Sequence, residues 1–269
     1  MSSLEGTAPI LPAGRRIVGW VSCGAASAVA AKLLLAQRRK EDVIVLARCL
    51  VPEEDPDNDR FAQDCAQWFG QNIVNLKSVD YASCEDVWRR RRYMSGIAGA
   101  PCTLEMKKRV RQDFEREWHP DIQVFGYTVD EKKRADEFRA NNPDVILHTP
   151  LIDAGLSKDD CFAIVHRAGL LLPLRYRQGF PNANCRGCVK NQSAEFWKLE
   201  RRVNPEIFAA RDALSRELGV RLIKLGSGKR ERIYLSDLPP DDGAPLGRIP
   251  NLDCSLLCAA AETTDGVDG

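Results

Sequence analysis

The sequence predicts an α/β fold in which helices cover both faces of a mostly parallel β-sheet, followed by a helical C-terminal appendage. Two observations support this prediction. Apolar segments of strand length alternate with helical segments over the first 150 residues. Continuous apolar strands are typical of parallel sheets, and their alternation with helices produces βαβ units that bury both faces of the sheet.

Each element of the predicted sheet domain follows from its local pattern. Strand character is found at residues 16–21, 42–49, 72–76, 122–126 and 145–148. Helical patterns occupy a run that ends at Leu35 and then residues 60–69, 83–93, 103–117 and 130–141. Ser157 and Asp160 have the spacing of a capping box, which predicts that a further helix begins there and ends near Gly169.

The character of the chain changes after residue 170, where prolines, glycines and asparagines become frequent. Two helices are predicted beyond this loop, over residues 189–201 and 205–218. We therefore divide the chain into a disordered N-terminus, an α/β domain, a cysteine-containing loop with its helical appendage, and a flexible tail. The corresponding ranges are 1–15, 16–170, 171–237 and 238–269.

The overall charge of the chain does not identify a partner. Lys and Arg together number 39 against 38 Asp and Glu, a formal net charge of +1, whereas proteins that coat nucleic acid or anionic membranes are far more basic. The run Arg89–Arg92 is either a solvated face or a local contact for phosphate. No apolar run is long enough to span a membrane and no signal-peptide pattern begins the chain, so we expect a cytoplasmic protein.

The loop that follows the first strand has the composition of an anion-binding turn. It reads Ser22-Cys-Gly-Ala-Ala-Ser27, and small residues let the backbone approach a ligand closely. The free N–H groups of the following helix, together with the two serine hydroxyls, would suit a phosphate. The alternative is a plain tight turn between a strand and a helix.

Ten cysteines are many for a cytoplasmic chain, and their spacing separates two groups from the rest. Cys185 and Cys188 form a C-x-x-C pair suited to zinc or an iron–sulfur cluster. Cys102 is the best third ligand, with Cys254 or Cys258 as the fourth. A structural zinc site and a metal-free redox dithiol remain as alternatives. The remaining cysteines that fall in strand or helix patterns are interpreted as small buried apolar residues: Cys49, Cys65, Cys84 and Cys161.

Several segments resemble known proteins when they are taken together and in order. Ser22, Gly24 and Ser27 match the S-G-G-x-D-S loop of the PP-loop, or adenine nucleotide α-hydrolase, superfamily, whereas Cys23 and Ala26 depart from it. Further segments resemble its phosphoadenosine phosphosulfate (PAPS) reductase-like branch: residues 57–61, 99–103, 131–134, 150–153 and 184–190. The resemblance implies a five-stranded parallel sheet that binds an adenine nucleotide, either PAPS or ATP with Mg²⁺, and it implies sulfur chemistry.

The same resemblance suggests roles for individual residues. Cys102, Cys185 and Cys188 look similar to the three cysteines that hold a [4Fe–4S] cluster in some PP-loop thiolation enzymes. The segment Asp253–Cys258 resembles the tail of PAPS reductases, whose cysteine attacks the sulfonyl sulfur, so Cys254 and Cys258 are the candidate nucleophiles. The loss of the loop's acidic residue at Ala26 disfavours ATP cleavage.

Charged residues beside these motifs are candidates for nucleotide binding. Lys107 and Lys190 adjoin the cysteine motifs and could neutralise phosphate or sulfate oxygens. Glu131 and Arg134 open a helix at the ligand edge of the sheet, although such charges are also ordinary at a helix N-terminus. The segment Arg175–Arg177 is a candidate for contacts with a base.

We predict a PAPS reductase-like enzyme that reduces a sulfonucleotide to sulfite, with a thioredoxin-like protein as its reductant. One alternative is an ATP-dependent sulfurtransferase that thiolates a nucleic-acid base with the help of an iron–sulfur cluster. Another is a non-catalytic module that binds a nucleotide and a metal within a nucleic-acid modification or defence assembly.

Overall fold

The computed structural model of the chain describes residues 14–96, 99–225, 231–244 and 246–247. Five strands form one parallel sheet in the order β3-β2-β1-β4-β5, and two short strands form a separate antiparallel pair. The sheet strands are β1 (Arg16–Trp20), β2 (Val43–Cys49), β3 (Ile73–Leu76), β4 (Ile122–Val124) and β5 (Ile146–His148). The pair consists of β6 (Ile223–Leu225) and β7 (Glu231–Ile233). The predicted five-stranded parallel sheet is thus confirmed, whereas the antiparallel pair was not predicted.

The helices occupy the connections between the sheet strands and parts of the chain beyond the sheet. Those of the sheet domain are α1 (Ala25–Ala36), α2 (Asp57–Phe69), α3 (Cys84–Arg91), α4 (Pro101–Thr103), α5 (Arg109–Trp118), α6 (Lys132–Asn141), α7 (Pro150–Asp153) and α8 (Lys158–Arg167). Beyond them lie α9 (Leu174–Arg177), α10 (Ala194–Val203) and α11 (Pro205–Glu217). A π-helical turn, Leu104–Lys108, joins α4 to α5.

The order of the strands determines where a ligand can bind. The chain runs outward from β1 through β2 to β3, and then returns to the opposite side of β1 with β4 and β5. The carboxyl ends of β1 and β4 therefore lead into connections on opposite faces, which opens a crevice between them. Ligands of open α/β sheets bind in such crevices.

Two large hydrophobic cores stabilise the described part of the chain, and two smaller clusters accompany them. The first lies between the sheet, α1, α2 and α8, where the alanines of α1 allow close helix packing; Ala25 and Ala28 are fully buried. The second joins α3 to α10, α11 and the β6–β7 pair, and Trp197 is fully buried within it. The thiol-bearing segments lie against the second core.

Some of the predicted features lie outside the residues that the structure describes. Residues 1–13 of the predicted disordered segment, and both tail cysteines, Cys254 and Cys258, lie outside the described residues. Within the described part of the chain, no helix is long and apolar enough to cross a membrane.

Candidate active site

A cleft of about 1260 Å³ opens at the carboxyl ends of β1, β2 and β4. Every predicted site residue within the described part of the chain lines it. The loop contributes Ser22, Gly24 and Ser27, and the cysteine motifs contribute Cys102, Cys185 and Cys188. The charged members are Lys107, Glu131, Arg134 and Lys190. The fold thus brings together residues that are more than 160 positions apart in the sequence.

The two serines of the loop are bonded to each other and to its backbone. The Ser22 N–H donates to Ser27 Oγ at 3.0 Å, and the two hydroxyl oxygens lie 3.2 Å apart. Ser27 Oγ also donates to the carbonyl of Gly24 at 2.9 Å. Gly24 caps α1 without any side-chain hydrogen bond, and the first turn of α1 carries no acidic residue. These features leave the loop suited to an anion.

Cys23 occupies the position where the resembled loop has its first glycine. Its φ of 55° lies in the left-handed region, which explains why glycine is favoured there. The Cys23 thiol is buried and accepts a hydrogen bond from Arg48 Nη1 at 3.3 Å. Burial raises the pKa of Cys23 against the opposing effect of Arg48. Arg48 also donates to Asn75 Oδ1 at 2.6 Å and pairs with Asp59.

Tyr176 packs against the loop Ser22–Ser27. Its hydroxyl faces the backbone N–H groups of Ala25 and Ala183, and burial raises its pKa to about 12. A Cβ atom on Gly24 would lie 3.0 Å from this hydroxyl oxygen, so the tyrosine limits what the loop can carry. The ring packs edge-on against Phe162, with 4.9 Å between centroids. The Tyr176 ring is buried in the core, so it offers no exposed face for the predicted contact with a base.

Gly126, just beyond β4, lies in close contact with the backbone of the first turn of α1. A Cβ atom at this position would lie 2.7 Å from the Ser27 nitrogen and 2.8 Å from the backbone of Ala26. Real Cβ atoms do not approach backbone so closely, so glycine is required here. This contact places the end of β4 beside the loop that follows β1.

A group of thiols forms the other end of the cleft. Cys84 begins α3, behind the N-cap Ser83, and hydrogen bonds link its thiol to both Cys102 and Cys185. The bond from Cys84 lowers the pKa of Cys102 to about 7, against the opposing effect of burial. Cys84 is buried in the second core, which agrees with its interpretation as a small buried residue, and it also lines the cleft. Its isolation in the sequence gave no spacing from which its partners could be found.

Cys188 joins this group through the C-x-x-C turn. The backbone N–H of Lys190 donates to Cys188 Sγ, while burial and the neighbouring Cys185 thiol raise the pKa of Cys188 to about 11. Gly187 has a φ of +59°, and a Cβ atom there would lie 2.8 Å from the Ile207 side chain. The C-x-x-C turn therefore packs closely against α11, and only glycine fits at position 187.

Among the described residues, no set of three or more His, Cys, Asp or Glu side chains stands in the arrangement of a ready metal site. The thiols are instead hydrogen-bonded to one another. Of the four cysteines predicted as metal ligands, Cys102, Cys185 and Cys188 are neighbours in the cleft, and Cys254 lies outside the described residues. The metal site remains a prediction.

Lys107 lies on the π-helical turn between the loop and the thiols. Its Nζ pairs with Glu54 Oε1 at 2.7 Å, a partner that the sequence analysis missed. Burial disfavours the ammonium, but Glu54 and the nearby Cys185 outweigh this effect and raise the pKa of Lys107. Single π-helical turns are frequent at functional sites, and this one places a charged amine in the cleft. Lys190 is exposed at its rim.

Glu131 and Arg134 are bonded mainly to their own helix. Glu131 forms a reciprocal capping box with Thr128, and Arg134 Nη1 lies 2.6 Å from Glu131 Oε1. The Arg134 guanidinium also lies over the Tyr127 ring, 5.1 Å from its centroid. These contacts are the ordinary ones of charged residues at a helix N-terminus, as the alternative interpretation expected. Arg134 nevertheless remains exposed at the cleft wall.

Two other arginine motifs are structural. Arg175 is fully buried, pairs with Glu200 at 2.6 Å and lies 3.4 Å from the centroid of Phe180, so its predicted contact with a base is wrong. Each arginine of the Arg89–Arg92 run pairs with an acidic side chain; the partners are Glu85, Asp86, Glu105 and Glu217. This pairing favours the solvated-face interpretation of the run.

The strand order makes this chain a doubly wound α/β protein. A polar crevice lies at the switch point of its sheet, and the crevice is lined by the loop after β1 and by cysteine thiols. No protein-family model matches the chain, and no curated protein is significantly similar to it.

Among solved structures, the chain is similar to the PAPS reductase from Candida auris in complex with phosphate, with 11% identity and a TM-score of 0.48. That match covers 65% of this chain and 82% of the reductase. It is also similar to the U34-tRNA thiolase NcsA from Methanococcus maripaludis with its [4Fe–4S] cluster, at 13% identity and a TM-score of 0.45. This second match covers 78% of this chain and 69% of the thiolase.

Proposed function

We propose that this protein is an enzyme that binds an adenine nucleotide and carries out sulfur chemistry through cysteines. One observation carries the proposal: the loop Ser22–Ser27 and the thiols of Cys84, Cys102, Cys185 and Cys188 line the same cleft. A ligand whose phosphate is held at the loop would therefore extend toward the thiols. Sulfonucleotides have this form, with an anionic sulfur group attached to a nucleotide phosphate.

The residues of the cleft suit the binding of such an anion. The N-terminus of α1 offers backbone N–H groups and the positive end of its dipole. Lys107, kept charged by Glu54, and Lys190 at the rim add positive charge between the loop and the thiols. Arg134 and Tyr127 line the wall beyond β4.

The proposed reaction is the reduction of a sulfonucleotide. A cysteine thiolate attacks the sulfonyl sulfur, the bond from sulfur to the phosphate oxygen breaks, and the nucleotide leaves with that oxygen. A second thiol then attacks the enzyme's sulfur, which releases sulfite and forms a disulfide. A thioredoxin-like dithiol reduces the disulfide and restores the enzyme. We assign the nucleophile to Cys254 or Cys258, as the sequence analysis did.

A second candidate function is favoured by the grouping of several thiols beside the loop. An ATP-dependent sulfurtransferase would adenylate the carbonyl oxygen of a nucleic-acid base, and a sulfide would then displace AMP. Cysteines are the natural ligands of an iron–sulfur cluster, and Cys102, Cys185 and Cys188 would hold it. Such a cluster supplies sulfur transfer or electrons when bound. Ala26, which offers no carboxylate to Mg²⁺, weighs against ATP cleavage.

Neighbouring donors favour the thiolate of Cys102 against the opposing effect of burial. The Trp88 indole N–H faces Cys102, yet it has no hydrogen-bond acceptor within bonding distance among the described residues. A buried N–H without an acceptor is unfavourable, and a negatively charged sulfur would satisfy it.

Nucleotide binding and product analysis test this proposal together. The anaerobically purified chain is titrated with PAPS, ATP and GTP by calorimetry, and is then assayed for sulfite from PAPS with thioredoxin and for AMP from ATP with sulfide. We expect PAPS to bind and to yield sulfite, and Cys254→Ser/Cys258→Ser to lose sulfite formation while it keeps nucleotide binding.

Three other results would decide against the reductase. AMP formation without sulfite would favour the sulfurtransferase. Adenine nucleotide binding without turnover would leave the non-catalytic module, and the failure of every adenine nucleotide to bind would overturn the proposal as a whole. Cys65→Ala, which removes a buried thiol from the first core, serves as the control for loss of a cysteine alone.

A further inference from the structure

We propose that Arg111 forms a second anion subsite of the cleft, and that this subsite takes a phosphate carried on the ribose of the bound nucleotide. The inference deepens the proposed function and rests on it, because it takes the 5′ end of the nucleotide to lie at the loop Ser22–Ser27. The sequence analysis did not single out Arg111, since the residues around it form no motif. The structure brings its side chain to the wall of the same cleft.

Three aromatic rings, those of Trp20, Phe125 and Tyr127, form a row beside the loop. The ring of Trp20, the last residue of β1, lies 6.5 Å from that of Phe125, and Phe125 stacks on Tyr127 with 5.7 Å between centroids. The indole N–H of Trp20 donates to Gln123 Oε1 at 3.0 Å, and this bond is buried. The aromatic row is therefore fixed to β1 and β4, the two strands that flank the switch point.

Two guanidinium groups lie over the aromatic row. Arg111, in the first turn of α5, lies 5.0 Å from the Phe125 centroid and 5.6 Å from the Trp20 centroid. Arg134 lies over Tyr127, at the other end of the row. A guanidinium that rests on ring faces keeps its N–H edge free to donate, and this edge matches the oxygens of a phosphate.

Arg111 differs from two other cations of the cleft in having no acidic partner. Lys107 pairs with Glu54, and Arg134 pairs with Glu131. Among the described residues, no carboxylate forms an ion pair with Arg111 and no acceptor takes a hydrogen bond from it. Its charge is therefore available to a ligand.

Glu115 does not neutralise Arg111, although it follows one turn later on α5. The Glu115 carboxyl group is hydrogen-bonded to Gln123, and burial raises its pKa against the opposing effect of Arg111. The side chain that could have paired with Arg111 is thus engaged with the strand that carries the aromatic row.

The position of Arg111 separates it from the thiols and keeps it close to the loop. Nine residues of nearly continuous helix join Cys102 to Arg111, so their backbones are roughly 13 Å apart. Trp20 stands two residues before Ser22, and the residue after Phe125 touches the backbone of the first turn of α1. Arg111 therefore meets a part of the ligand other than the sulfonyl group that a thiolate would attack.

The ribose is the part of a nucleotide that can carry this second anion. PAPS has a phosphate on the 3′ oxygen of its ribose, apart from the sulfate at the 5′ end, whereas ATP carries all of its charge at the 5′ end. An unpaired guanidinium on the aromatic row would therefore favour a nucleotide with a ribose phosphate over ATP. Arg111 would be the residue that determines this specificity.

The test compares nucleotides that differ only in the ribose phosphate. The full-length chain is titrated by calorimetry with AMP, adenosine 3′,5′-bisphosphate and adenosine 2′,5′-bisphosphate. We expect the 3′,5′-bisphosphate to bind at least about tenfold more tightly than AMP, because a guanidinium–phosphate contact is charge-assisted. Arg111→Met, which keeps an apolar stem on the aromatic row, should reduce this ratio to below about threefold and leave the affinity for AMP unchanged. Arg111→Lys should keep part of the preference. Arg116→Met, which removes an exposed arginine of the same helix, is the matched control and should keep all of it.

Two outcomes would overturn the subsite: equal binding of AMP and both bisphosphates by the wild type, or a preference for bisphosphate that survives in Arg111→Met. A preference for the 2′,5′ isomer that is lost in Arg111→Met would support the subsite and assign the phosphate to the 2′ oxygen. If Arg111→Met does not fold, the wild-type comparison and Arg111→Lys still decide.

Failure of the subsite and failure of the proposed function give different results. A chain that binds AMP and the bisphosphates equally, and still yields sulfite from PAPS, loses only the subsite at Arg111. A chain that prefers the bisphosphate through Arg111 but yields no sulfite keeps the subsite and loses the reductase. A chain that binds no adenine nucleotide loses both.

Discussion

Arg48 Nη1 donates a hydrogen bond to Cys23 Sγ at 3.3 Å, so a buried guanidinium fixes the residue at the strained position of the loop. Cys23 has a left-handed backbone at φ 55°, which costs a residue other than glycine of order 1 kcal/mol. The contact with Arg48 helps to offset this cost. The shape of the loop therefore depends on the end of β2 as well as on β1.

Replacement of Arg48 should loosen the loop. Arg48→Met removes the donor to Cys23 and those to Asn75 and Asp59, so we expect the buried Cys23 thiol to become accessible. Alkylation at neutral pH, followed by mass spectrometry, should show Cys23 modified at least tenfold faster than in the wild type. Arg116→Met, which removes an exposed arginine paired with Asp113, is the control and should leave that rate unchanged.

A methyl group at position 126 should damage nucleotide binding. In Gly126→Ala the new Cβ would meet the Ser27 nitrogen at 2.7 Å and push the end of β4 away from α1. We expect adenine nucleotide affinity, measured by calorimetry, to fall more than tenfold. Gly155→Ala is the comparison, because its Cβ meets open space although its φ of +70° is also unfavourable for alanine. Equal loss of affinity in both variants would argue against the loop as the binding site.

The reactivity of Cys102 should depend on pH through its contact with Cys84. Because the pKa of Cys102 is lowered to about 7, its thiolate is present above that pH and is lost as the pH falls through it. In the metal-free chain, the alkylation rate of Cys102 should therefore rise with a midpoint near pH 7. Cys84→Ala removes the hydrogen bond and should move this midpoint upward. An unchanged midpoint would show that Cys84 does not act on Cys102.

The buried pair of Arg175 and Glu200 should matter strongly for stability. Both side chains are fully buried and lie 2.6 Å apart, so removal of one partner leaves an uncompensated charge. We expect Arg175→Met to lower the free energy of unfolding by about 3–5 kcal/mol, measured by urea denaturation. The double variant Arg175→Met/Glu200→Leu should recover part of this loss. If the single variant lost less than about 1 kcal/mol, the pair would be no more important than an exposed one.

The sheet could be predicted because its signal is local. Residues 17–21 and 43–47 are apolar without interruption, and Ser157 with Asp160 gives a capping box that the structure reproduces. The β6–β7 pair was missed because its strands have three residues each and carry charged side chains. Short exposed strands offer no pattern that distinguishes them from a loop.

The candidate site could be predicted only where its residues belong to motifs. Ser22, Gly24, Cys185 and Cys188 stand at recognisable spacings, and all four line the cleft. Cys84 was not recognised as a site residue. Its contact with Cys102, 18 positions further along the chain, results from the packing of α3 against α4, and no periodicity in the sequence predicts it. The pairing of Lys107 with Glu54 is likewise a product of the fold, since it joins positions 53 residues apart.

Tyr176 and Arg175 are consecutive residues whose side chains serve the two different halves of the chain. The tyrosine hydroxyl lies under the loop at Gly24, while the arginine is anchored to Glu200 in α10. A displacement of α10 would therefore be transmitted through one peptide unit to the start of α1. It follows that excision of the chain before α10 should disturb the loop after β1, and that a change in the C-terminal helices would have a direct mechanical route to that loop.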